Sequence, residues 1–209
     1  MTGDEKVFNT IESIERKYQI IYVDPPWSYK TWNKAEGDDK HTKTAEKHYP
    51  TMDIKDIMEF DVGSITEDDS VLLMWATFPC LPEAMNLIDA WGFTYVTNAF
   101  TWVKRNKKSE GWFWGLGHYT RANAEICLLA RKGRGVKRIN KSVHSVCDAR
   151  ISKHSEKPDE IRQNIVKLFG SDKSRLEMFA RTKHTGWDIF GNEIADEEQT
   201  LKNLIEDSC

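Results

Sequence analysis

The stretch IIYVDPPWSY, residues 20–29, decides how the rest of the chain is read. Ile20, Ile21, Tyr22 and Val23 are β-branched or aromatic, a continuous apolar run that predicts a buried strand. Pro25 and Pro26 have no amide hydrogen for a sheet ladder and both fix φ, so the strand must end near Asp24. An ionised Asp24 is an acceptor only, and the Pro25 carbonyl is followed by a residue with no N–H to compete for it. Two fixed acceptors beside a flat aromatic suit an NH2 group on a planar ring, such as that of adenine or cytosine. The lone pair of that amine is delocalised into its ring. Acceptors on both N–H bonds favour a pyramidal nitrogen and stabilise positive charge that appears during attack. The same residues equally suit a plain strand end with a stiff corner and Trp27 as core filler. Four letters do not separate the two.

Outward from that corner, strand-like and helical segments alternate. Residues 28–48 are polar and too unpatterned for a tight turn, the mark of a functional or disordered loop. TMDIKDIMEF predicts a short helix capped by Thr51 or Asp53, and SVLLMWAT (Ser70–Thr77) a continuous apolar strand. LPEAMNLIDAWG is an amphipathic helix with Pro82 in its first turn and Gly92 beyond its end. FTYVTNAFTWVK and AEICLLARKG are strand candidates. In SEKPDEIRQNIVKLFG, Ser155 is the expected N-cap, with Pro158 in the first turn. Ile161, Ile165 and Leu168 form its apolar stripe, and Gly170 ends it. RLEMFART and WDIFGNE predict closing strands, and Ile194, Leu201, Leu204 and Ile205 a terminal helix. Apolar strands interleaved with helices imply an α/β sandwich around a mostly parallel sheet. Ligands of such sheets sit beyond the carboxyl ends of the strands, where Asp24 stands.

The chain has 209 residues, 39% hydrophobic and 30% charged, the size and balance of one soluble globular domain. It has no apolar run of membrane-spanning length and no secretory leader, so a cytoplasmic protein is expected. Cys80, Cys127, Cys147 and Cys209 are scattered without a C-x-x-C pair, which predicts buried free thiols and no metal site. Net charge is −3, but between Lys104 and Lys157 fourteen Lys/Arg face four Asp/Glu, while residues 194–209 are acidic. That basic middle is a surface for phosphates or a set of solvated loops. RKGRGVKRINK (131–141) is the expected phosphate-tracking loop within it.

DPPW after an apolar strand, followed in order by HYPTM, LLMWAT, WGF, WVK, GLGHYTRANAE, EKPDE, LEMFAR and GWDIFGNE, resembles one family across about residues 19–193. It is that of the N6-adenine methyltransferases, which includes the catalytic subunit of the eukaryotic mRNA adenosine methyltransferase and many compact bacterial and phage members. The resemblance implies a single Rossmann-like, S-adenosylmethionine-dependent domain over 1–209, with the catalytic motif N-terminal to the cofactor segments, a permuted order. It implies that Asp24 and Pro25 accept from the target amine and that Pro26 completes their corner. Trp27 and Tyr49 pack on the base, and residues 28–48 form an active-site lid.

On the cofactor side it assigns Asp24, Lys157, Glu177, Arg181, His184, Asn192 and Glu193, with Glu193 standing where Gln is expected. Lys157 in EKPDE matches the lysine paired with the cofactor carboxylate. A cation in a helix's first turn opposes the helix dipole, and a bound anion there gives it a reason. Glu177 suits ribose hydroxyls. Lys104, His118 and Arg121 fall on the substrate-binding wall, Arg121 reaching phosphate, cofactor or Glu125 at i+4. The expected reaction is methylation of adenine N6, in DNA rather than RNA, on a flipped or single-stranded base. RNA methylation and an inactive nucleic-acid-binding scaffold are the alternatives. A monomer or homodimer with no obligate partner is expected.

Overall fold

The computed structural model describes residues 7–8, 10–27, 52–152 and 156–191. The loop after the corner with Tyr49, the cap Ser155, the contacts Asn192 and Glu193, Cys209 and the terminal segment 194–209 lie outside the described residues.

Among the described residues one eight-stranded sheet is formed by β1 (Val7–Phe8), β2 (Tyr18–Val23), β3 (Thr66–Ala76), β4 (Thr94–Arg105), β5 (Ala124–Lys132), β6 (Val146–Arg150), β7 (Arg175–Met178) and β8 (Asp188–Phe190). The helices are α1 (Ile54–Met58), α2 (Leu81–Ala90) and α3 (Asp159–Phe169). Strand order is β1-β8-β7-β2-β3-β5-β4-β6. Only β5 runs antiparallel to its neighbours, and every other pairing is parallel. This is the mostly parallel α/β sheet that the apolar runs predict.

Side-chain alternation sorts the core into two layers. Ile21 and Val23 of β2 join Leu72 and Met74 of β3 against Ile57, Ala84, Leu87 and Ile88 of α1 and α2. Ile20 and Tyr22 join Val71, Leu73 and Trp75 against Ile161, Ile165 and Phe169 of α3. Burial on both faces is why these strands read as unbroken apolar runs. Cys80, Cys127 and Cys147 are buried free thiols. No helix among the described residues is long and apolar enough to cross a membrane.

The topology places the working edge. From β2 the chain passes through α1 to β3 on one side. It returns through α3 to β7 on the other side of β2, with α3 on the opposite face. The β2/β7 seam is therefore the switch point at which the carboxyl ends open a crevice. Asp24 follows β2 there, and Lys104 lies one residue before the end of β4 on the same edge. Because β5 is antiparallel, Ala124 at its start pairs with Val103, which puts Glu125 at the same edge.

Of the two expected caps of α1, Asp53 takes the position, its side chain accepting from the Lys55 amide at 2.9 Å. Several other local expectations are corrected. Helix α3 starts after Pro158, which is itself the N-cap position, so Lys157 precedes the helix instead of standing in its first turn. Proline holds the preceding residue in extended backbone, which excludes Lys157 from a helical turn. The buried stripe of α3 ends on Phe169, with Leu168 only partly buried. Strands β1 and β6 have no counterpart in the sequence reading. Both are short, and β6 is an edge strand with only Cys147 fully buried.

RKGRGVKRINK starts at the far end of the sheet, where Lys132 pairs with Ser70 at the amino end of β3's apolar run. There Lys132 donates to the Gly63 carbonyl at 3.0 Å, Arg134 forks onto Asp69, and the Ile139 amide bonds to Leu168 at the end of α3. Its start is structural and on the edge opposite Asp24, which overturns its reading as a loop tracking substrate phosphates.

The Tyr18 hydroxyl donates to Asp188 at 2.7 Å, tying the start of β2 across β7 to β8, and Arg16 shares that carboxylate oxygen at 3.1 Å. Replacement Tyr18→Phe leaves a buried carboxylate short of one donor and costs about 1–3 kcal/mol. The expected result is a lower urea midpoint with an unchanged slope; an unchanged midpoint refutes the role given to this bond.

Candidate active site

The corner after β2 is held by its own backbone. The Trp27 amide donates to the Pro25 carbonyl at 2.8 Å, a three-residue turn, and the Met52 amide donates to the Pro26 carbonyl at 3.1 Å. The Trp27 indole N–H donates to the Trp75 carbonyl at 3.1 Å, and the residue is only 7% exposed. Two expectations change. The Pro25 carbonyl is not uncommitted: the competing N–H comes from two residues on, leaving it one lone pair for a ligand. Trp27 is packed into the core beneath the corner, so its ring fixes the corner rather than offering an open stacking face.

Four charges meet at this edge. The Lys157 ammonium lies 2.5 Å from Asp24 and 3.4 Å from Glu125, and Lys104 pairs with the other oxygen of Glu125. Lys157 is 7% exposed, although a third of the Asp24 side chain remains open. Burial opposes the charge on Lys157, but Asp24 and Glu125 outweigh it and push the ammonium up to about 12. Burial also works against ionised Glu125, yet Lys157 and Lys104 together hold it below the usual carboxylate range. Asp24 goes the other way: burial holds it above its ordinary value, offset in part by Lys157 and reinforced by the negative charge of Glu125. The ring of Trp75 lies under Lys157, 5.4 Å from its nitrogen, and that of Trp102 lies 4.9 Å from Lys104.

A second pair stands at the end of β7. Arg162, on the first turns of α3, forks onto Glu177 with bonds of 2.7 and 2.6 Å, both side chains largely buried. The Tyr22 ring lies 5.6 Å from the guanidinium, and the Trp75 indole donates to the Tyr22 hydroxyl at 2.6 Å. Trp75 thus touches the corner, the Lys157 charge and the floor of the Arg162 pair. Just after β7, Phe179 has φ of 58°, the left-handed region, and the turn leads to Arg181. Such backbone is costly for a residue with a Cβ and is concentrated at functional sites. Arg181 is exposed, and its charge reaches Asp24, favouring the carboxylate form. His184 lies 3.9 Å from Asp159, with its charged form opposed by burial and then by Arg162.

The structure brings Asp24, Pro25, Lys104 and Lys157 together, with Arg181 in electrostatic reach, and sets Glu177 and His184 around Arg162. It does not bring in His118 and Arg121, which are exposed on the loop between β4 and β5. Arg121 stacks on Trp114 at 4.7 Å, and Glu125 is taken by the two lysines rather than by Arg121. The segment is not helical, so the i+4 spacing does not apply. Sequence reasoning missed Glu125, Arg162 and Trp75. The lone carboxylate opening the apolar run EICLLA and the arginine beside the α3 stripe were the available signals.

A mostly parallel sheet with its charges gathered at the switch-point end defines a Rossmann-like domain whose ligand site is that edge. The MT-A70 family profile matches residues 18–193, and the chain belongs to that methyltransferase family. It is 36% identical over 193 residues to the type II methyltransferase M.MunI of Mycoplasma sp, covering 87% of this chain and 79% of that protein. It is 27% identical over 188 residues to the human N(6)-adenosine-methyltransferase catalytic subunit METTL3, covering 87% of this chain and 29% of that one. A Drosophila melanogaster N(6)-adenosine-methyltransferase MT-A70-like protein is 26% identical over 184 residues, again across about a quarter of its length, 27%.

Replacing Arg162 by Met strands Glu177 as a buried unpaired carboxylate, which costs about 3–5 kcal/mol. Combining Arg162→Met with Glu177→Gln is expected to recover more than half of that loss in urea melts. Strictly additive losses in the double-mutant cycle mean the two side chains are not coupled.

Proposed function

We propose that this chain transfers the methyl group of S-adenosylmethionine to N6 of adenine in DNA, acting in the cytoplasm as a monomer or homodimer. The observation that carries the reading is Asp24, fixed at the carboxyl end of β2 and held there by the buried Lys157. MT-A70 methyltransferases use S-adenosylmethionine, and the donor set here fits that molecule by its chemistry. A buried charged lysine suits its carboxylate, Asp24 and Glu125 suit its ammonium, and Glu177 suits a ribose diol. Arg162 holds Glu177 oriented, and Arg181 and His184 flank that end. Asn192 and Glu193 complete the proposed contacts. When bound, the cofactor supplies a methyl group on positively charged sulfur.

The residues of the chain do the rest by positioning and charge. Asp24 and the remaining lone pair of the Pro25 carbonyl accept the N–H bonds of the target amine, with Pro26 and Trp27 keeping both acceptors still. Asp24 stabilises positive charge on the nitrogen in a partly desolvated site, where such an interaction is strong. Fixing the amine in line with its donor contributes by proximity. The proton leaves afterwards to solvent. In this reading Tyr49 and Lys104 line the base side, and an adenine in a duplex has to be flipped to reach them. The higher identity to a type II methyltransferase than to the adenosine methyltransferases favours DNA over RNA.

The test is labelled cofactor with matched DNA and RNA oligonucleotides, with and without adenine, followed by nucleoside analysis. N6-methyladenine in DNA is expected, and Asp24→Asn lowers kcat by about 10²–10³-fold while leaving the fold intact. Label confined to RNA moves the substrate, and absence of both label and cofactor binding supports the scaffold alternative. Replacement Glu125→Gln removes a negative charge that raises Asp24, so the acid limb of kcat/KM is expected at lower pH than in the wild type. A limb that moves upward or stays contradicts the assignment of that limb to Asp24.

A further inference from the structure

The loop joining β4 to β5, residues 106–123, leaves and re-enters the sheet beside Lys104 and Glu125. It is built to hold apolar side chains in water. Trp114 is 71% exposed, Leu116 83% and Tyr119 fully exposed. The loop's backbone is tightly tied. The Lys104 amide donates to the Asn123 carbonyl at 2.8 Å, the Phe113 amide to the Lys104 carbonyl at 2.9 Å, and the Ala122 amide to the Gly115 carbonyl at 3.2 Å. Arg150 of β6 fastens its first turn through the carbonyls of Asn106 and Ser109, each at 3.1 Å, and through Glu110 at 2.6 Å.

Gly115 and Gly117 let the strands of the loop close on each other. A Cβ on either would stand 2.1 Å from the carbonyl oxygen of Ala122 or Thr120. These close approaches pin the loop on which Trp114, Leu116 and Tyr119 stand exposed.

The surroundings of these side chains select the partner. Arg121 lies over Trp114 at 4.7 Å, and Lys107, Lys108 and His118 stand exposed on the same loop. Its one carboxylate, Glu110, is held by Arg150. Flat apolar faces interleaved with cations match the two parts of a nucleotide, a π-face and a phosphate. A protein-binding patch has charge depleted from its centre instead.

We infer that Trp114, Leu116 and Tyr119 form a stacking platform for unpaired bases flanking the target adenine. This rests on the proposed nucleic-acid substrate and deepens it, since an adenine brought to Asp24 leaves its neighbours unstacked next to this loop. Stacking takes any base, so the platform contributes affinity without sequence preference. Lys107 and Lys108 add the salt-dependent part.

The test is equilibrium binding of a mixed-sequence single-stranded DNA 20-mer to the full chain at a series of salt concentrations, with cofactor binding measured on the same samples. In the double variant Trp114→Ala/Tyr119→Ala, affinity is expected to fall about ten- to a hundredfold, with the slope of log K against log salt unchanged. Trp114→Phe/Tyr119→Phe restores most of the affinity. Lys107→Ala/Lys108→Ala instead flattens the slope by about one to two units. Cofactor affinity stays at the wild-type value in all three, which separates the effect from misfolding.

Wild-type affinity in the alanine pair overturns the proposal. So does an aromatic patch whose removal dissociates a homodimer without weakening DNA. Wild-type protein that binds S-adenosylmethionine but neither DNA nor RNA overturns the substrate reading itself, a different failure.

Discussion

The arrangement depends on one buried ammonium. Lys157 sits between Asp24 and Glu125 at the edge of the sheet, and none of the three is tolerable there alone. The three residues come from the end of β2, the start of β5 and the approach to α3. Their meeting requires β3 to lie between β2 and β5 and α3 to begin on the same edge. A sheet with β5 parallel to β3 would put Glu125 at the far end, out of reach of Lys157. The single antiparallel strand is thus what closes the charge balance.

Beneath the charges lies an aromatic layer that links them mechanically. Trp75 accepts from Trp27, donates to Tyr22 and underlies Lys157, while Tyr22 underlies Arg162. Corner, lysine and the Arg162–Glu177 pair are therefore seated on one floor at the carboxyl ends of two parallel strands. A ligand at this edge meets side chains already oriented by internal partners, so binding is an exchange of partners rather than an ordering of loose groups. Exchange of that kind favours ligands that bring matching charges, because any other leaves a desolvated ion unpaired.

The basic middle of the chain divides in two. One part, from Lys132 to Arg134, ties the amino edge of the sheet to Asp69 and the turn before β3. The other, from Lys104 to Arg121, belongs to the edge that holds Asp24. Charge counted along the chain does not distinguish these, since a strand of nine residues carries one group to the opposite end of the domain from the other.

The sequence by itself determined the strand that ends at Asp24, the mostly parallel α/β class, the helices α1 to α3 and the family. Each rests on local chemistry: proline without an amide hydrogen, apolar runs, helical stripes and turn glycines. It also marked Lys157 and Glu177. Only the tertiary structure decided which charges face each other, because that follows from strand order and direction, which no local pattern encodes. It assigned Glu125 and Arg162 as the partners of Lys157 and Glu177, withdrew Trp27 into the core, and occupied one lone pair of the Pro25 carbonyl. It also moved residues 131–141 away from the site. Proline at position 158 shows the division in one residue. Its restriction of Lys157 to extended backbone is local, but the burial that makes Lys157 a functional group comes from the sheet it is folded against.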